Sequence, residues 1–263
     1  MAIKAVIFDL DDTLVVEEAS AEAAFVAASK VAQEKCGIDP EDFNSTVRQK
    51  ARELWHKSPG RDYCVAIGVS SWEGLWARFE GDDPNQKIMH RWAPGYQIQA
   101  WLNALAVFGV SDESIAQLLS ATFQNHRRGR HIVYPDVVPV LKEFRQDYKL
   151  ALITNGAPQL QRDKIKGSKL GHYFEAIVIS GELGVGKPDQ KIFATALKRL
   201  DISAKMAVMV GNSLKSDIAG AQQIGIKAIW LNRDGKQNDN TVKPDYEISN
   251  LNELQNALNY LEK

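Results

Sequence analysis

Short apolar runs alternate with longer amphipathic stretches over most of this chain. The apolar runs show no alternation of polar residues, which is typical of parallel strands buried on both faces. They lie at Ala5–Leu10, Leu150–Thr154, Ala176–Ser180, Met206–Gly211 and Ile226–Leu231. Helical periodicity follows at Asp136–Gln146, Pro158–Gly167, Pro188–Leu200, Leu214–Ile224 and Leu251–Leu261. Strands that alternate with helices predict an α/β protein whose parallel sheet is covered by helices on both faces.

Residues 17–130 break this rhythm, because their apolar residues recur at helical spacing throughout. Helices are predicted at Glu17–Lys35, Pro40–His56, Tyr96–Phe108 and Asp112–His126. Five tryptophans lie in this segment (Trp55, Trp72, Trp76, Trp92 and Trp101), and we interpret them as the core of a helical domain rather than as a ligand cage. The predicted organisation is a sheet domain of residues 1–16 plus 131–263, with a helical domain of residues 17–130 inserted after the first strand.

Charge and hydropathy exclude several classes of partner. The 32 basic and 33 acidic side chains give a net charge of −1, so the chain lacks the basic footprint of a nucleic-acid-binding protein. No run approaches the roughly 18 apolar residues of a membrane span. The apolar run at the start is too short for a signal peptide, so we expect a cytoplasmic protein with no nucleic acid or membrane partner.

Polar residues that suit phosphate chemistry follow four of the apolar runs. The clusters are Asp9-Leu-Asp11-Asp12-Thr13, Thr154-Asn155-Gly156, Gly186-Lys187-Pro188-Asp189, and Gly211-Asn212-Ser213 with Asp217 one turn later. Open parallel sheets bind ligands at the carboxyl ends of their strands, so these groups are expected at a single rim. Carboxylate and amide oxygens suit Mg²⁺, and a lysine offsets the charge of a phosphoryl group.

These four motifs, in this order, resemble those of the haloacid dehalogenase superfamily, in the phosphatase branch with a helical C1-type cap inserted after the first motif. The chain is also similar to bacilli-type hydrolases of that branch, some of which are labelled phosphoserine phosphatases. The resemblance implies a Rossmann-like three-layer core, an all-helical cap domain, Mg²⁺ as cofactor and a small phosphorylated metabolite as substrate. It carries no prediction about the oligomeric state.

The resemblance also assigns roles at the reaction centre. Asp9 would attack phosphorus with one oxygen and meet Mg²⁺ with the other. Asp11 would act as general acid and then as general base, and its backbone carbonyl would be a metal ligand. The first strand is expected to end before Asp11, so that the carboxylates of Asp9 and Asp11 both point into one cleft.

The remaining motif residues would bind the phosphoryl group or the metal ion. Thr154 and Asn155 would form hydrogen bonds with phosphoryl oxygens, and Lys187 would neutralise both the phosphoryl group and Asp9. Asp217 would support the water shell of the metal ion. Asn212 stands where the family usually has an aspartate ligand, and its amide oxygen can bind a hard cation but adds no charge.

Because Asn212 replaces the usual aspartate ligand, functions other than phosphate hydrolysis are also considered. A binding or regulatory protein with a weakened metal site is one alternative, and a dehalogenase is another, although Asp11 favours phosphate chemistry. The segment Gly181–Lys187 fits the start of a nucleotide-binding P-loop, but Pro188 offers neither the hydroxyl nor the N–H that such a loop needs. Residues that select the substrate are expected within 17–130. There, the basic stretch His126–His131 is interpreted as a solvated helix end rather than as a substrate-steering patch.

Overall fold

Six parallel strands form one sheet in the computed structural model, which describes residues 2–238 and 241–263. They are β1 (Ala5–Phe8), β2 (Lys149–Thr154), β3 (Ala176–Ile179), β4 (Ala207–Gly211), β5 (Lys227–Leu231) and β6 (Tyr246–Ile248). Their order is β3-β2-β1-β4-β5-β6, with every neighbouring pair parallel. The predicted α/β class is therefore confirmed. The edge strand β6 was not predicted, because three residues with a central glutamate show no apolar run.

The chain divides into two units. The core unit comprises Met1–Val16, Ile132–Gly156 and Ser168–Lys263, and the helical unit comprises Glu17–His131 and Ala157–Gly167. Within the core unit the central strand β1 is fully buried and lies between β2 and β4. The order of the strands reverses at this point, and in open parallel sheets such a switch point is where a crevice forms beyond the carboxyl ends. The first polar motif begins here, at Asp9.

Helices accompany the sheet in the core unit and build the other unit. The helical unit contains α1 (Glu18–Cys36), α2 (Pro40–Trp55), α3 (Arg61–Ile67), α4 (Ser71–Gly74), α5 (Pro84–Val107), α6 (Glu113–Gly129) and most of α8 (Pro158–Ser168). The core unit contains α7 (Val137–Phe144), α9 (Ser180–Leu183), α10 (Gln190–Leu200), α11 (Ala219–Gln222) and α12 (Leu254–Leu261). A π-helical turn, Leu214–Ile218, precedes α11.

The tryptophans of the helical unit belong to its hydrophobic core, as predicted. Trp55, Trp76 and Trp101 are buried, and Trp72 and Trp92 pack against the same cluster. Such rings each bury a large apolar area and pack edge to face or offset. The Trp101 ring, for example, has its centroid 5.7 Å from that of Phe123.

Helix α5 is longer than predicted, since it begins at Pro84 rather than at Tyr96. Asp83 caps it by accepting hydrogen bonds from the N–H groups of the second and third residues, and Pro84 occupies the first position, where no donor is needed. Pro94 and Gly95 disfavour a helix, yet buried residues continue at helical spacing on both sides of them, and tertiary burial outweighs the lost hydrogen bond. No helix in the described part of the chain combines the length and hydropathy that a membrane span needs.

The prediction of a solvated helix end at His126–His131 is wrong for Arg127. The buried face of α6 runs from Ala116 through Phe123 to Arg127, so the arginine continues an apolar stripe. Its Nη2 donates to Glu17 Oε1 at 2.6 Å, and Lys164 Nζ lies 2.9 Å from the same oxygen. Lys164 also contacts Glu73 Oε1 at 3.3 Å, which gives the helical unit a buried cluster of two acids and two bases. Burial of charges is tolerated when they are paired in this way.

Candidate active site

Asp9 lies at the end of the central strand, in a tight loop that turns back at once. Strand β1 ends at Phe8, which agrees with the expectation that it stops before Asp11. The Asp9 N–H still donates to Val210 O at 3.0 Å, whereas the N–H groups of Leu14 and Val15 return to Leu10 O. This loop leaves Asp9 buried and Asp11 half-buried.

Lys187 brings two of the predicted carboxylates together. Its ammonium group donates to Asp9 Oδ1, lies 2.7 Å from Asp217 Oδ1 and donates to Ile153 O at 3.3 Å. The three N–H bonds of a lysine can thus each reach one oxygen. All three side chains of this buried triad (Asp9, Lys187 and Asp217) are nearly inaccessible to solvent. The predicted meeting of these residues at one rim is what the structure shows.

Burial of the triad, and its excess of one negative charge, shift the pKa values of Asp9 and Lys187. Burial raises the pKa of Asp9 to about 6, because the lowering effect of Lys187 is partly cancelled by the nearby charge of Asp217. Burial alone would lower the pKa of Lys187, but Asp217 and Asp9 outweigh it and hold that pKa above its ordinary value. Lys187 therefore stays protonated, while Asp9 is the group whose charge is easily lost.

Asp217 is held rigidly by the turn on which it lies. Its Oδ2 accepts a hydrogen bond from the Ser213 N–H at 2.9 Å, so both carboxylate oxygens are engaged. Gly211 is required by this arrangement, since a Cβ at that position would lie 2.3 Å from Asp217 Oδ2. Asp217 is thus committed to Lys187 and to the backbone of its own loop.

Thr154 ends strand β2 and Asn155 follows it, but the two residues differ in their surroundings. The Thr154 hydroxyl is buried and has no hydrogen-bond partner among the described residues. The Asn155 side chain binds the backbone of Lys187 twice: Nδ2 donates to Lys187 O at 2.9 Å, and Oδ1 accepts from Lys187 N at 2.8 Å. These two hydrogen bonds fix the backbone of Lys187, from which its side chain extends. A Cβ on Gly186 would approach Asn155 Oδ1 to 2.5 Å, so glycine is needed there.

Thr13 links the first motif to Asn212, a connection that the sequence analysis missed. Its Oγ1 lies 3.3 Å from Asp9 Oδ2 and 3.4 Å from Asn212 Oδ1, and it accepts the Asn212 N–H at 3.2 Å. The hydroxyl donates to one of the two oxygens at a time. The spacing of Asp9 and Thr13 in one turn was the only available signal, and it was interpreted as part of a motif rather than as a bridge.

The residues around Thr13 fit a hard cation such as Mg²⁺. Asp9 Oδ2 and the Asn212 amide oxygen both lie within 3.4 Å of the Thr13 hydroxyl, and the hydrogen bond from Lys187 goes to the other Asp9 oxygen, Oδ1. Mg²⁺ is commonly held by one or two carboxylates with several waters, and the surplus negative charge of the triad favours a cation. Within the described ranges no group of three or more His, Cys, Asp or Glu side chains forms a metal cluster, so the fit rests on this smaller oxygen set.

Comparison with known proteins shows the family to which this chain belongs. Residues 3–225 match the family of haloacid dehalogenase-like hydrolases. The chain is 34% identical over 252 residues to a phosphoserine phosphatase of Thermus thermophilus, a match that covers 95% of this chain and 97% of that one. It is 31% identical over 270 residues to a glyceraldehyde 3-phosphate phosphatase of Methanopyrus kandleri, with 99% of both chains covered.

A solved structure supports the same family assignment. A 2-haloacid dehalogenase from Pseudomonas syringae pv. Tomato is 28% identical, covers 98% of this chain and 99% of its own, and superposes with a TM-score of 0.63. The chain therefore belongs to the haloacid dehalogenase-like hydrolase family, as its motifs predicted. The expected enzyme class, a phosphatase-type hydrolase of this family, is confirmed by the two relatives that match nearly the whole chain.

Proposed function

We propose that this protein hydrolyses a small phosphomonoester with the help of Mg²⁺ and through a phosphoryl-Asp9 intermediate. The observation that carries the proposal is the buried triad beside an unpartnered hydroxyl. Asp9 supplies a carboxylate held by Lys187, and Thr154 offers a buried donor with no partner among the described residues. Phosphoryl transfer depends mainly on positioning and on stabilisation of negative charge, and these groups provide both.

The reaction takes place in two steps at Asp9. One carboxylate oxygen of Asp9 forms a bond to phosphorus as the bond to the leaving oxygen breaks, and Asp11 gives its proton to that oxygen. Asp11 then takes a proton from water, which attacks phosphorus and releases Asp9 and inorganic phosphate. Lys187 holds Asp9 oriented and offsets charge, while Thr154 and Asn155 bind phosphoryl oxygens.

Four groups make up the proposed metal site: the Asp9 carboxylate, the Asp11 backbone carbonyl, the Asn212 amide oxygen and, through water, Asp217. When bound, Mg²⁺ supplies positive charge that stabilises the phosphoryl oxygens. Because both Asp217 oxygens are already engaged, we assign it a supporting role rather than direct ligation. We also propose that residues 17–130 form the cap domain, whose residues select the substrate, that residues 1–16 plus 131–263 form the catalytic domain, and that the protein is cytoplasmic.

The experiment is a phosphate-release screen over some fifty small phosphomonoesters with Mg²⁺. Phosphoserine, glyceraldehyde 3-phosphate, sugar phosphates, phosphoglycolate and mononucleotides are included, because the two relatives are named for the first two. Wild-type protein should act on a few of them. Asp9→Asn should lower the rate by at least about 1,000-fold, as expected for loss of a nucleophile, while its circular dichroism stays unchanged.

Other results of the screen would contradict the proposed function or favour another one. Wild-type rates in Asp9→Asn would end the assignment of the nucleophile. Release of phosphate from a folded phosphoprotein alone would contradict the proposed substrate class. Halide release from 2-haloacids without phosphate release would favour a dehalogenase, the activity for which the structural neighbour is named. Mg²⁺ binding without any turnover would favour a binding or regulatory protein.

A further inference from the structure

The carboxyl end of strand β5 reaches both loops of the candidate active site. In the sheet β5 lies beside β4, and Trp230 is the register partner of Gly211, the last residue before Asn212. Trp230 Nε1 donates a hydrogen bond to Asn212 O at 2.9 Å. Two residues after the strand, Arg233 Nη2 donates to Thr13 O at 3.0 Å. The sequence analysis singled out neither side chain, since the residues that follow β5 match none of the four motifs.

Trp230 completes the hold on the Asn212 backbone. The N–H of Asn212 donates to Thr13 Oγ1, and its carbonyl accepts from the indole, so the peptide groups on both sides of its Cα are fixed. The direction of the side chain from that Cα is then fixed as well. This sets where the amide oxygen lies relative to Thr13 and Asp9. The indole is 3% exposed, so water does not readily replace it as a donor.

The Arg233 guanidinium, which donates to Thr13 O, is also held by Asp136 and Tyr134. Its guanidinium forms a two-pronged pair with Asp136 at 2.9 and 3.0 Å, and its Cζ lies 4.0 Å from the centre of the Tyr134 ring. Asp136 in turn accepts the Leu251 N–H at 2.7 Å. A planar guanidinium in such a fork has little freedom, which makes its contact with the Thr13 carbonyl a rigid one.

We infer that Trp230 and Arg233 are positioning residues, which together set the separation between the Asp9 carboxylate and the Asn212 amide oxygen through Thr13. The inference rests on the proposed function, because it concerns the oxygens assigned there to Mg²⁺. Partners that orient ligands in this way commonly contribute 10- to 100-fold to metal affinity or activity. Trp230 acts on Asn212 directly, and Arg233 acts on the loop that carries Asp9 and Thr13.

The test compares Trp230→Phe with a matched control, Trp101→Phe. Both variants shorten a buried ring, but the Trp101 indole has no hydrogen-bond partner among the described residues. Mg²⁺ affinity is measured by calorimetry on the full chain, and kcat and KM are measured on the best substrate of the screen. Trp230→Phe should weaken Mg²⁺ binding about 10-fold or more and lower kcat. Trp101→Phe should leave both unchanged.

A double-mutant cycle separates positioning from general weakening of the fold. In an Asn212→Ala background the amide oxygen is gone, so Trp230→Phe should no longer change Mg²⁺ affinity. A purely structural role would weaken binding equally in both backgrounds and overturn the inference. Arg233→Lys, which keeps the charge but loses the fork, is the second variant and should weaken Mg²⁺ binding in the same direction.

The remaining outcomes are also decisive. Wild-type affinity and kcat in folded Trp230→Phe and Arg233→Lys would overturn the inference and leave the proposed function standing. If both variants fail to fold by circular dichroism, the two side chains are structural supports and the inference fails. A wild-type protein that neither binds Mg²⁺ nor releases phosphate would remove the proposed function and the inference with it.

Discussion

Replacing Asp9 by asparagine should stabilise the fold at neutral pH while it removes turnover. In the buried triad two carboxylates share Lys187, and the substitution leaves one carboxylate, Asp217, with one lysine. The pKa of Asp9 is raised by burial from 3.8 to about 6. At about 1.4 kcal/mol per pKa unit, ionised Asp9 costs the folded state about 3 kcal/mol. A neutral amide avoids this cost, so we expect an increase of about 1–3 kcal/mol in the free energy of unfolding at pH 8.

The stability gained in Asp9→Asn should depend on pH. Because the folded pKa lies above the unfolded one, the contribution of Asp9 is most favourable below pH 4 and is lost as the pH rises through 6. The advantage of Asp9→Asn should therefore shrink to about half at pH 5. Urea unfolding in EDTA, followed by circular dichroism at pH 5 and pH 8, measures the difference. Asp147→Asn, at an exposed position of the same unit, is the control.

Two results would refute this reasoning. A variant less stable than wild type at pH 8 would show that the ion pair with Lys187 stabilises more than burial costs. An advantage that does not change with pH would show that Asp9 titration is not its source. Mg²⁺ adds an internal check: at 100 times its Kd it should stabilise the wild type by about 2.7 kcal/mol and the variant much less.

Two further substitutions test the metal site and the helical unit. Asn212→Asp should tighten Mg²⁺ binding by about 10- to 100-fold in a calorimetric titration, and an unchanged Kd would mean that Asn212 is not a ligand. Glu17→Gln removes the ion pair of Arg127 and one of the two ion pairs of Lys164, so the free energy of unfolding should fall by about 3–5 kcal/mol relative to the exposed control Glu34→Gln. Burial would raise the pKa of Glu17, but Lys164 and Arg127 hold it below its ordinary value, so this deficit should narrow as the pH falls below about 4.

The residues that the sequence could predict are those that follow the strands. Once the apolar runs are recognised as parallel strands, their carboxyl ends must share an edge, and Asp9, Thr154 and Asn212 fall there without further information. Lys187 and Asp217 lie beyond the strand ends, and the order of the motifs was enough to bring them to the same rim. These positions follow from local patterns and from topology alone.

Contacts with backbone groups could not be predicted in the same way. Asn155 was expected to bind a phosphoryl oxygen, and the structure adds its two hydrogen bonds to the backbone of Lys187. Trp230 had the pattern of a core residue, and it is one, yet its indole N–H also reaches Asn212. Arg127 was expected in solvent because its neighbours are basic, but the helix face on which it lies and the distant Glu17 decide its burial. Such pairings depend on the register between segments that lie 18 to 110 residues apart in the chain.

The two buried charge clusters differ in balance, and that difference separates structure from function. In the helical unit two acids, Glu17 and Glu73, meet two bases, so the charges of the cluster balance without any ligand. In the core unit Asp9 and Asp217 meet a single lysine, and burial, with a smaller contribution from the charge of Asp217, raises the pKa of Asp9. A stable fold alone would favour a balanced set, because buried uncompensated charge is costly. A bound cation would offset the surplus negative charge of the triad. With asparagine at position 212 that surplus is one charge, whereas an aspartate there would make it two. In the proposed Mg²⁺ site, asparagine at position 212 therefore lowers both the attraction for the cation and the electrostatic cost of the site without it.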